Sequence, residues 1–286
     1  MKLALGTVQF GLDYGINNLE GKPSREKAFG ILEKAYHSEV EFLDTADLYG
    51  DALEVLGEFN LKTGLHFKIM SKLVLANPDE KIATKLKSAL ERLKQNSLDT
   101  YFFHRFSDYA TYKNLATEVS DLKAAGLISK LGVSLYSDEE LSIACCDPAV
   151  DVIQLPFNIL DSSDKKCDLL EEARRNGKEI HIRSLYLQGL FYKNISELSG
   201  NLVDLKEALE KFHQLRTETG LSVEQICFGF ANSHPLDVIV IGVDNEDQLA
   251  RNLELSKFHI SPELIKELKK IKNFNRDLLN PSNWRK

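Results

Sequence analysis

The sequence lacks any apolar run of the roughly 20 residues that a membrane-spanning helix needs. Its first residues also lack the basic start and apolar core of a secretory signal. Acidic residues outnumber basic ones, 43 to 36, and the resulting net charge of -7 argues against nucleic acid or an anionic membrane surface as the main partner. The four cysteines have neither metal-ligand nor disulfide-framework spacing. We therefore expect a cytoplasmic protein that holds no metal and acts on a small molecule; the sequence predicts no oligomeric state.

Short apolar runs alternate with longer segments that carry apolar residues at helical spacing. Such alternation predicts parallel strands, because parallel strands need long helical crossovers. The predicted strands are residues 3–5, 41–43, 67–70, 100–103, 130–133, 152–155, 179–182 and 238–241. The first turn lacks the glycine spacing of a dinucleotide-binding open sheet. The sequence therefore predicts an α/β fold, a (β/α)8 TIM barrel over residues 1–286 as a single domain, with a C-terminal helical tail that includes a helix at 262–272.

Reactive side chains follow three successive predicted strands. Asp44 follows the second strand, Lys72 the third and His104 the fourth. Tyr49 lies five residues after Asp44. Active sites of such barrels lie at the carboxyl ends of the strands, so these groups should meet at one mouth. Each group alone could be a solvated charge, a structural ion pair or a cap, but their joint occurrence favours catalysis.

The four side chains suit protonation of a carbonyl oxygen. The pKa of tyrosine is about 10, and we expect the Lys72 ammonium, kept charged by Asp44, to lower the pKa of Tyr49. His104 can donate to the same oxygen or relay a proton to Tyr49. This arrangement would stabilise the alkoxide that forms when hydride reaches the carbonyl carbon. Because no side chain delivers hydride, a nicotinamide cofactor is required.

The same residues resemble the catalytic tetrad of the aldo-keto reductase family, bacterial members in particular. The resemblance extends along nearly the whole chain and is carried by Asp44-Thr45-Ala46 with Tyr49-Gly50, Ser71-Lys72, His104, Gly6-Thr7, Leu131-Gly132-Val133-Ser134, Ile153-Gln154-Leu155, and Val240-Ile241-Gly242 through Gln248 to Asn252. It implies that the protein is an NAD(P)H-dependent oxidoreductase that reduces an aldehyde or ketone, with Tyr49 as proton donor. It also implies a cofactor site in which Ser134 and Gln154 hold the nicotinamide carboxamide, Gly242, Gln248 and Asn252 hold the adenosine half, and Gly6, Thr7, Arg183 and Ser184 contribute from the strand ends.

The sequence departs from the family pattern at three places. Leu135 stands where many members have asparagine, so one hydrogen bond to the carboxamide is lost. Arg183 stands where an aromatic residue often stacks on the nicotinamide, and its planar guanidinium can stack there or pair with a nearby acid. The loop at 242–248 has three acids and no base before Arg251. Basic side chains bind a 2′-phosphate best, so NAD(H) is an alternative to the NADP(H) that the resemblance implies.

The sequence leaves two other functions open. One is a nucleotide-binding barrel with a regulatory or scaffold role and little turnover. The other is a Schiff-base aldolase or lyase with Lys72 as nucleophile. The substrate class follows only from the resemblance. The chain resembles bacterial members found near surface-polysaccharide genes, and this indicates a sugar-derived carbonyl. Aromatic residues predicted to line the mouth are Tyr14, Phe106, Tyr109, Tyr136 and Tyr186.

Overall fold

Eight parallel strands close into a barrel in the order in which they occur in the sequence. The computed structural model describes residues 1–18, 20–77, 79–112, 115–271 and 275–284. The strands are β1 (Lys2–Gly6), β2 (Phe42–Asp44), β3 (Lys68–Leu73), β4 (Leu98–Phe103), β5 (Ile128–Ser134), β6 (Val152–Pro156), β7 (Glu179–Arg183) and β8 (Val238–Gly242). Each predicted strand overlaps one of these, so the predicted TIM barrel is confirmed.

Helices connect the strands and surround the barrel. Among the described residues they are α1 (Val8–Gly11), α2 (Arg25–His37), α3 (Ala52–Thr63), α4 (Ile82–Leu93), α5 (Phe106–Thr111), α6 (Leu115–Ala124), α7 (Asp138–Ala144), α8 (Asp164–Arg175), α9 (Lys206–Thr219), α10 (Val223–Asn232), α11 (Glu246–Leu255) and α12 (Pro262–Leu268). Short 3₁₀ segments occur at Leu187–Tyr192, Ile195–Glu197, Gly200–Leu205, Arg276–Leu279 and Pro281–Asn283. None of the described helices is both long and apolar enough to cross a membrane.

The alternation of side chains along the strands divides the core into two parts. One face of each strand packs against the helices, as Leu5, Leu43 and Ile69 do. The other face fills the barrel interior with a separate buried cluster: Ala4, Phe42, Met70, Phe102, Val152 and Val238. Because side chains two positions apart point the same way, the residues two positions further toward the carboxyl ends also face the interior. These are Gly6, Asp44, Lys72, His104, Gln154 and Val240.

The tail beyond β8 differs in part from its prediction. Helix α12 ends at Leu268, four residues before the predicted end, and residue 272 lies outside the described residues. The last described segment turns back on itself, since the Trp284 indole N–H donates to the Leu278 carbonyl at 2.7 Å. Three residues of this segment, Asn280, Pro281 and Ser282, reach the mouth of the barrel.

Candidate active site

A cleft of about 810 Å³ opens at the carboxyl ends of the strands. Most of the residues predicted for the site line it: Gly6, Thr7, Asp44, Tyr49, Lys72, His104, Arg183, Ser184, Gly242, Gln248 and Asn252. The fold therefore brings together groups that lie far apart in the sequence. Ser134 and Gln154, the other two predicted residues, are buried next to this lining.

Lys72 and Asp44 form a buried ion pair on neighbouring strands. The side chains are 1% and 4% exposed, and the Lys72 ammonium donates to Asp44 Oδ1. Lys72 Nζ also donates to the Thr45 carbonyl at 3.3 Å and to the Tyr49 hydroxyl oxygen at 3.5 Å. An ammonium has three N–H donors, so these contacts use all of them. Burial lowers the pKa of Lys72, and the Asp44 carboxylate opposes that shift.

Two other residues hold Asp44 in place. The Gln154 amide donates to Asp44 Oδ2 at 2.8 Å, so both carboxylate oxygens are occupied. The Thr7 hydroxyl and the Thr7 backbone N–H both donate to the Asp44 carbonyl, at 3.0 and 2.9 Å. The predicted cofactor residue Thr7 therefore also connects the first two strand ends.

A close contact between two loops positions Tyr49. A Cβ atom on Gly11 would lie 1.7 Å from the Tyr49 carbonyl oxygen, which leaves room only for glycine at the end of α1. Gly50 has a φ of +55°, a left-handed conformation that favours glycine, and its own Cβ would lie 2.2 Å from the Gly11 carbonyl oxygen. The two glycines thus let α1 pack directly on the turn that carries Tyr49.

His104 lies across the Tyr49 ring. The two ring centroids are 5.8 Å apart and the rings are nearly perpendicular, at 88°. Burial, with a further contribution from the Lys72 charge, lowers the pKa of His104 to about 3. The imidazole is therefore neutral at physiological pH. It can donate one hydrogen bond but cannot act as a cationic acid.

The prediction that Lys72 lowers the pKa of Tyr49 is wrong in direction. Burial, followed by the negative charge of Asp44, raises the pKa of Tyr49 above its ordinary value. Asp44 neutralises Lys72, so the pair offers Tyr49 little net positive charge while the desolvation cost remains. Arg183 acts in the opposite direction and favours the phenolate. Tyr49 is consequently protonated at neutral pH, as a proton donor must be.

Ser134 and Gln154 sit side by side on paired strands β5 and β6. The Ser134 hydroxyl oxygen and Gln154 Oε1 are buried, and neither has a hydrogen-bond partner among the described residues. Buried polar atoms without partners are rare. A carboxamide fits this pair, because its N–H can donate to Gln154 Oε1 and its carbonyl oxygen can accept from the Ser134 hydroxyl. The residues present thus fit the group that the resemblance assigns to them.

Arg183 extends from the end of β7 over the cleft. Its guanidinium carbon is 4.3 Å from the centroid of the Tyr136 ring, a cation–π contact. Arg183 Nη2 donates to the Leu135 carbonyl at 3.4 Å. Arg183 forms no ion pair with any acid in the part of the chain that the structure describes. The next residue, Ser184, has a φ of +62°, a strained conformation for a non-glycine residue.

The other end of the cleft is the start of α11. Asn245 caps this helix by accepting from the Gln248 N–H at 2.9 Å. The Gln248 side chain accepts from the Asp244 N–H at 2.9 Å, and burial raises the pKa of Asp244. Asn252 is buried and accepts from the Tyr186 hydroxyl at 2.6 Å. Asp244 and exposed Arg251 both line the cleft, so one acid and one base face it from this loop and helix.

The aromatic lining is partly as predicted. Tyr14, Tyr136 and Tyr186 line the cleft. Phe106 and Tyr109 do not: the Tyr109 ring packs against Phe103 and Phe106, and the Tyr109 hydroxyl donates to Asp147. Lining residues that the sequence analysis missed include Gln9, Tyr192, Glu224 and Ser282. Of these, only Ser282 could have been found from the sequence, through the polar Asn-Pro-Ser-Asn run that contains it. The other three lie on elements whose packing decides which side faces the cleft.

Away from the cleft, three side chains could hold a metal ion, although the cysteine spacing predicted none. The ligand atoms of Cys145, Cys146 and Glu172 lie within 4.8 Å of one another. None of the three lines the cleft.

Comparison with known proteins places these features in a family. The family model described as "Aldo/keto reductase family" matches residues 2–273. An aldo-keto reductase of Strobilurus tenacellus is 29% identical over 205 residues, which cover 66% of this chain and 59% of that protein; the chain therefore matches less than two thirds of that relative.

Solved structures show the same fold. An aldo-keto reductase of Bacillus halodurans in its holo form has a TM-score of 0.75 at 17% identity, over 94% of this chain and 91% of that one. An aldo-keto reductase of Bombyx mori, solved in complex with NADP, has a TM-score of 0.68 at 16% identity, over 95% and 89% of the two chains.

Proposed function

The chain belongs to the aldo/keto reductase family, and on that premise we propose that it reduces an aldehyde or ketone to an alcohol with hydride from NAD(P)H, using Tyr49 as the proton donor. The observation that supports this most strongly is the contact of the Tyr49 hydroxyl with the Lys72 ammonium, 3.5 Å away at the end of the buried Lys72–Asp44 pair. A tyrosine held in this way, at the lining of the cleft, can give up its proton to a carbonyl oxygen bound there.

The mechanism assigns one task to each of the four side chains. The carbonyl oxygen accepts hydrogen bonds from the Tyr49 hydroxyl and from neutral His104, which polarise the C=O bond. As the carbonyl carbon gains hydride, Tyr49 transfers its proton to the oxygen and the alcohol forms. Lys72 then stabilises the phenolate by its N–H donor, and Asp44 keeps Lys72 charged. Water restores the proton to Tyr49.

Ser134 and Gln154 would hold the nicotinamide through its carboxamide. Their buried, unpartnered oxygen atoms support this assignment. When bound there, the nicotinamide supplies the hydride. Because Gln154 also donates to Asp44, the same side chain would connect the cofactor site to the catalytic ion pair.

We propose that the adenosine half lies along Gly242, Gln248 and Asn252. A Cβ on Gly242 would lie 2.3 Å from the Gln9 amide nitrogen, so the Gln9 side chain approaches the Gly242 backbone closely in this part of the cleft. A relative of known structure binds NADP, and NADP(H) is the cofactor that the family implies. Asp244, however, faces the cleft from the loop before α11 and would repel a 2′-phosphate. We therefore propose weak discrimination between NADPH and NADH.

The structure weighs against the two other functions considered. A Schiff-base nucleophile needs a free amine, whereas all three N–H donors of Lys72 have acceptors. A scaffold would have no need for a buried ion pair against a tyrosine hydroxyl. The partner that fits the cleft is a small carbonyl compound, and a sugar-derived carbonyl stays a prediction. The free thiols favour the cytoplasm as its location.

Substitution Tyr49→Phe tests the proposal. It removes the proton donor but keeps the ring, and we expect the rate of carbonyl reduction to fall by about 100- to 10,000-fold. Dissociation constants for NADPH and NADH, measured by fluorescence titration, should change little. Tyr109→Phe is the matched control, since it removes a hydroxyl outside the cleft, and it should keep wild-type activity. Full activity in Tyr49→Phe would contradict the proposal.

A further inference from the structure

The catalytic end of the cleft has a positive charge without a counterion. Asp44 is fully engaged by Lys72 and Gln154. The other cleft acids, Asp244 and Glu224, contact the Gln248 and Tyr192 region at the opposite end. Among the described residues, therefore, no carboxylate balances Arg183, although its charge acts on Tyr14, Tyr49 and His104.

A partly buried, unbalanced arginine carries an energetic penalty. The guanidinium carbon lies 4.3 Å from the Tyr136 ring centroid, and within the described part of the chain Arg183 donates one hydrogen bond, to the Leu135 carbonyl. A guanidinium has five N–H donors in a planar fork. Donors therefore remain for a ligand, on a guanidinium that contacts both Tyr136 and Leu135.

Tyr14 adds a second donor beside Arg183. Its hydroxyl oxygen accepts from the Gln188 amide at 3.0 Å, which leaves its O–H free to donate. Burial raises the pKa of Tyr14 and keeps that proton in place. Tyr14, Tyr136 and Arg183 all line the cleft together with Tyr49.

We propose that Arg183, assisted by Tyr14, binds a carboxylate of the substrate, so that the preferred substrates are carbonyl compounds that carry a carboxylate. Arg183 matches the planar, bidentate geometry of this group. A phosphate would call for further bases, but Lys72 has no free donor and Arg251 lies at the other end of the cleft. The inference rests on the proposed function, because it concerns the same site.

The test compares charged and neutral aldehydes of equal size. Meta- and para-carboxybenzaldehyde are measured against the matching carbamoylbenzaldehydes with saturating cofactor. We expect the wild type to have a higher kcat/KM for the carboxylates, mainly through KM. In Arg183→Gln the carboxylate-to-amide ratio should fall by about tenfold or more, the usual effect of losing a charge-assisted hydrogen bond. The ratio is internal to each variant, so a lower folded fraction cancels.

Two controls separate this role from others. Arg251→Gln removes the same charge from the far end of the cleft and should leave the ratio unchanged. Arg183→Lys keeps the charge but loses the planar pair of guanidinium donors, and its carboxylate-to-amide ratio should be intermediate. If Arg183 served only the cofactor or the packing of Tyr136, both substrate classes would fall equally in Arg183→Gln.

An unchanged ratio in Arg183→Gln, or a wild-type preference for the amides, would overturn the inference. If the aldehydes are still reduced in a Tyr49-dependent manner, the proposed function stands. Failure to reduce any of the four aldehydes would overturn both.

Discussion

At the scale of single residues, the site depends on one buried ion pair. Asp44 fixes Lys72, Lys72 reaches Tyr49, and Gln154 occupies the remaining Asp44 oxygen. Taking two charges out of water is costly, and the cost is offset only while both partners remain. The pair therefore contributes positioning and electrostatics at Tyr49 more than it contributes stability.

Removing one partner should affect both stability and activity. In Asp44→Asn, Lys72 stays buried without a counterion, and we expect the free energy of unfolding to fall by about 3–5 kcal/mol. The rate of carbonyl reduction should fall too. The matched control is Asp161→Asn, because Asp161 pairs with Lys166 in an equally buried bridge outside the cleft.

Urea unfolding and steady-state kinetics measure the two effects. Asp161→Asn should lose a similar free energy of unfolding but retain its kcat. A loss of kcat as large in Asp161→Asn as in Asp44→Asn would mean that the pair acts through general stability rather than through Tyr49.

At the scale of elements, we expect the loop between β8 and α11 to determine the preference between NADPH and NADH. The Asp244 backbone N–H donates to Gln248 Oε1, and the Gln248 side-chain amide donates to the Asp244 carboxylate. This closes the loop as a compact turn with an acid on its inner side. A ribose with a free 2′-hydroxyl can donate to such an acid, whereas a phosphate cannot.

We expect NADPH and NADH to bind the wild type with similar dissociation constants. Asp244→Lys should shift the preference toward NADPH by about tenfold or more, as a repulsion becomes a charge-assisted contact. Asp247→Lys is the control, since Asp247 is exposed in the first turn of α11 but does not line the cleft. Fluorescence titration with each cofactor gives the constants. Wild-type protein that binds NADPH about a hundredfold more tightly than NADH would contradict the prediction.

At the scale of the whole molecule, buried titratable groups couple stability to pH. The pKa of His104 is lowered to about 3 from 6.5, and that of Glu179 to about 2 from 4.5, chiefly through its hydrogen bond with His181. Between the lowered and the ordinary pKa of each group, the unfolded chain binds more protons than the folded one. Stability therefore falls as pH falls, first through His104 below pH 6.5 and then through Glu179 as well below pH 4.5.

Urea unfolding at a series of pH values across this range should show that decline. His104→Gln removes the first titration, and its free energy of unfolding should fall less steeply, by up to about 1.4 kcal/mol per pH unit, between pH 6.5 and 4.5. Parallel pH dependence in the variant and the wild type would contradict the low pKa of His104.

What the sequence by itself determined is local and periodic. Apolar runs spaced by helical segments indicate eight parallel strands, and one reactive residue after each of three successive strands indicates a site, because strand ends in a barrel share one mouth. Gly126 and Gly177 likewise mark helix ends, and both have a positive φ there. These features follow from neighbours along the chain, so no tertiary contact is needed to recognise them.

Only the tertiary structure decided which groups share charge and space. Burial, followed by the negative charge of Asp44, raises the pKa of Tyr49, which reverses the expected shift. Arg183 contacts Tyr136 and has no acidic partner among the described residues, whereas Tyr14 and Ser282 line the cleft and Tyr109 does not. Each outcome depends on residues that are distant in sequence and become neighbours only when the barrel closes. Burial and charge pairing are properties of that closed packing, and no local pattern encodes them.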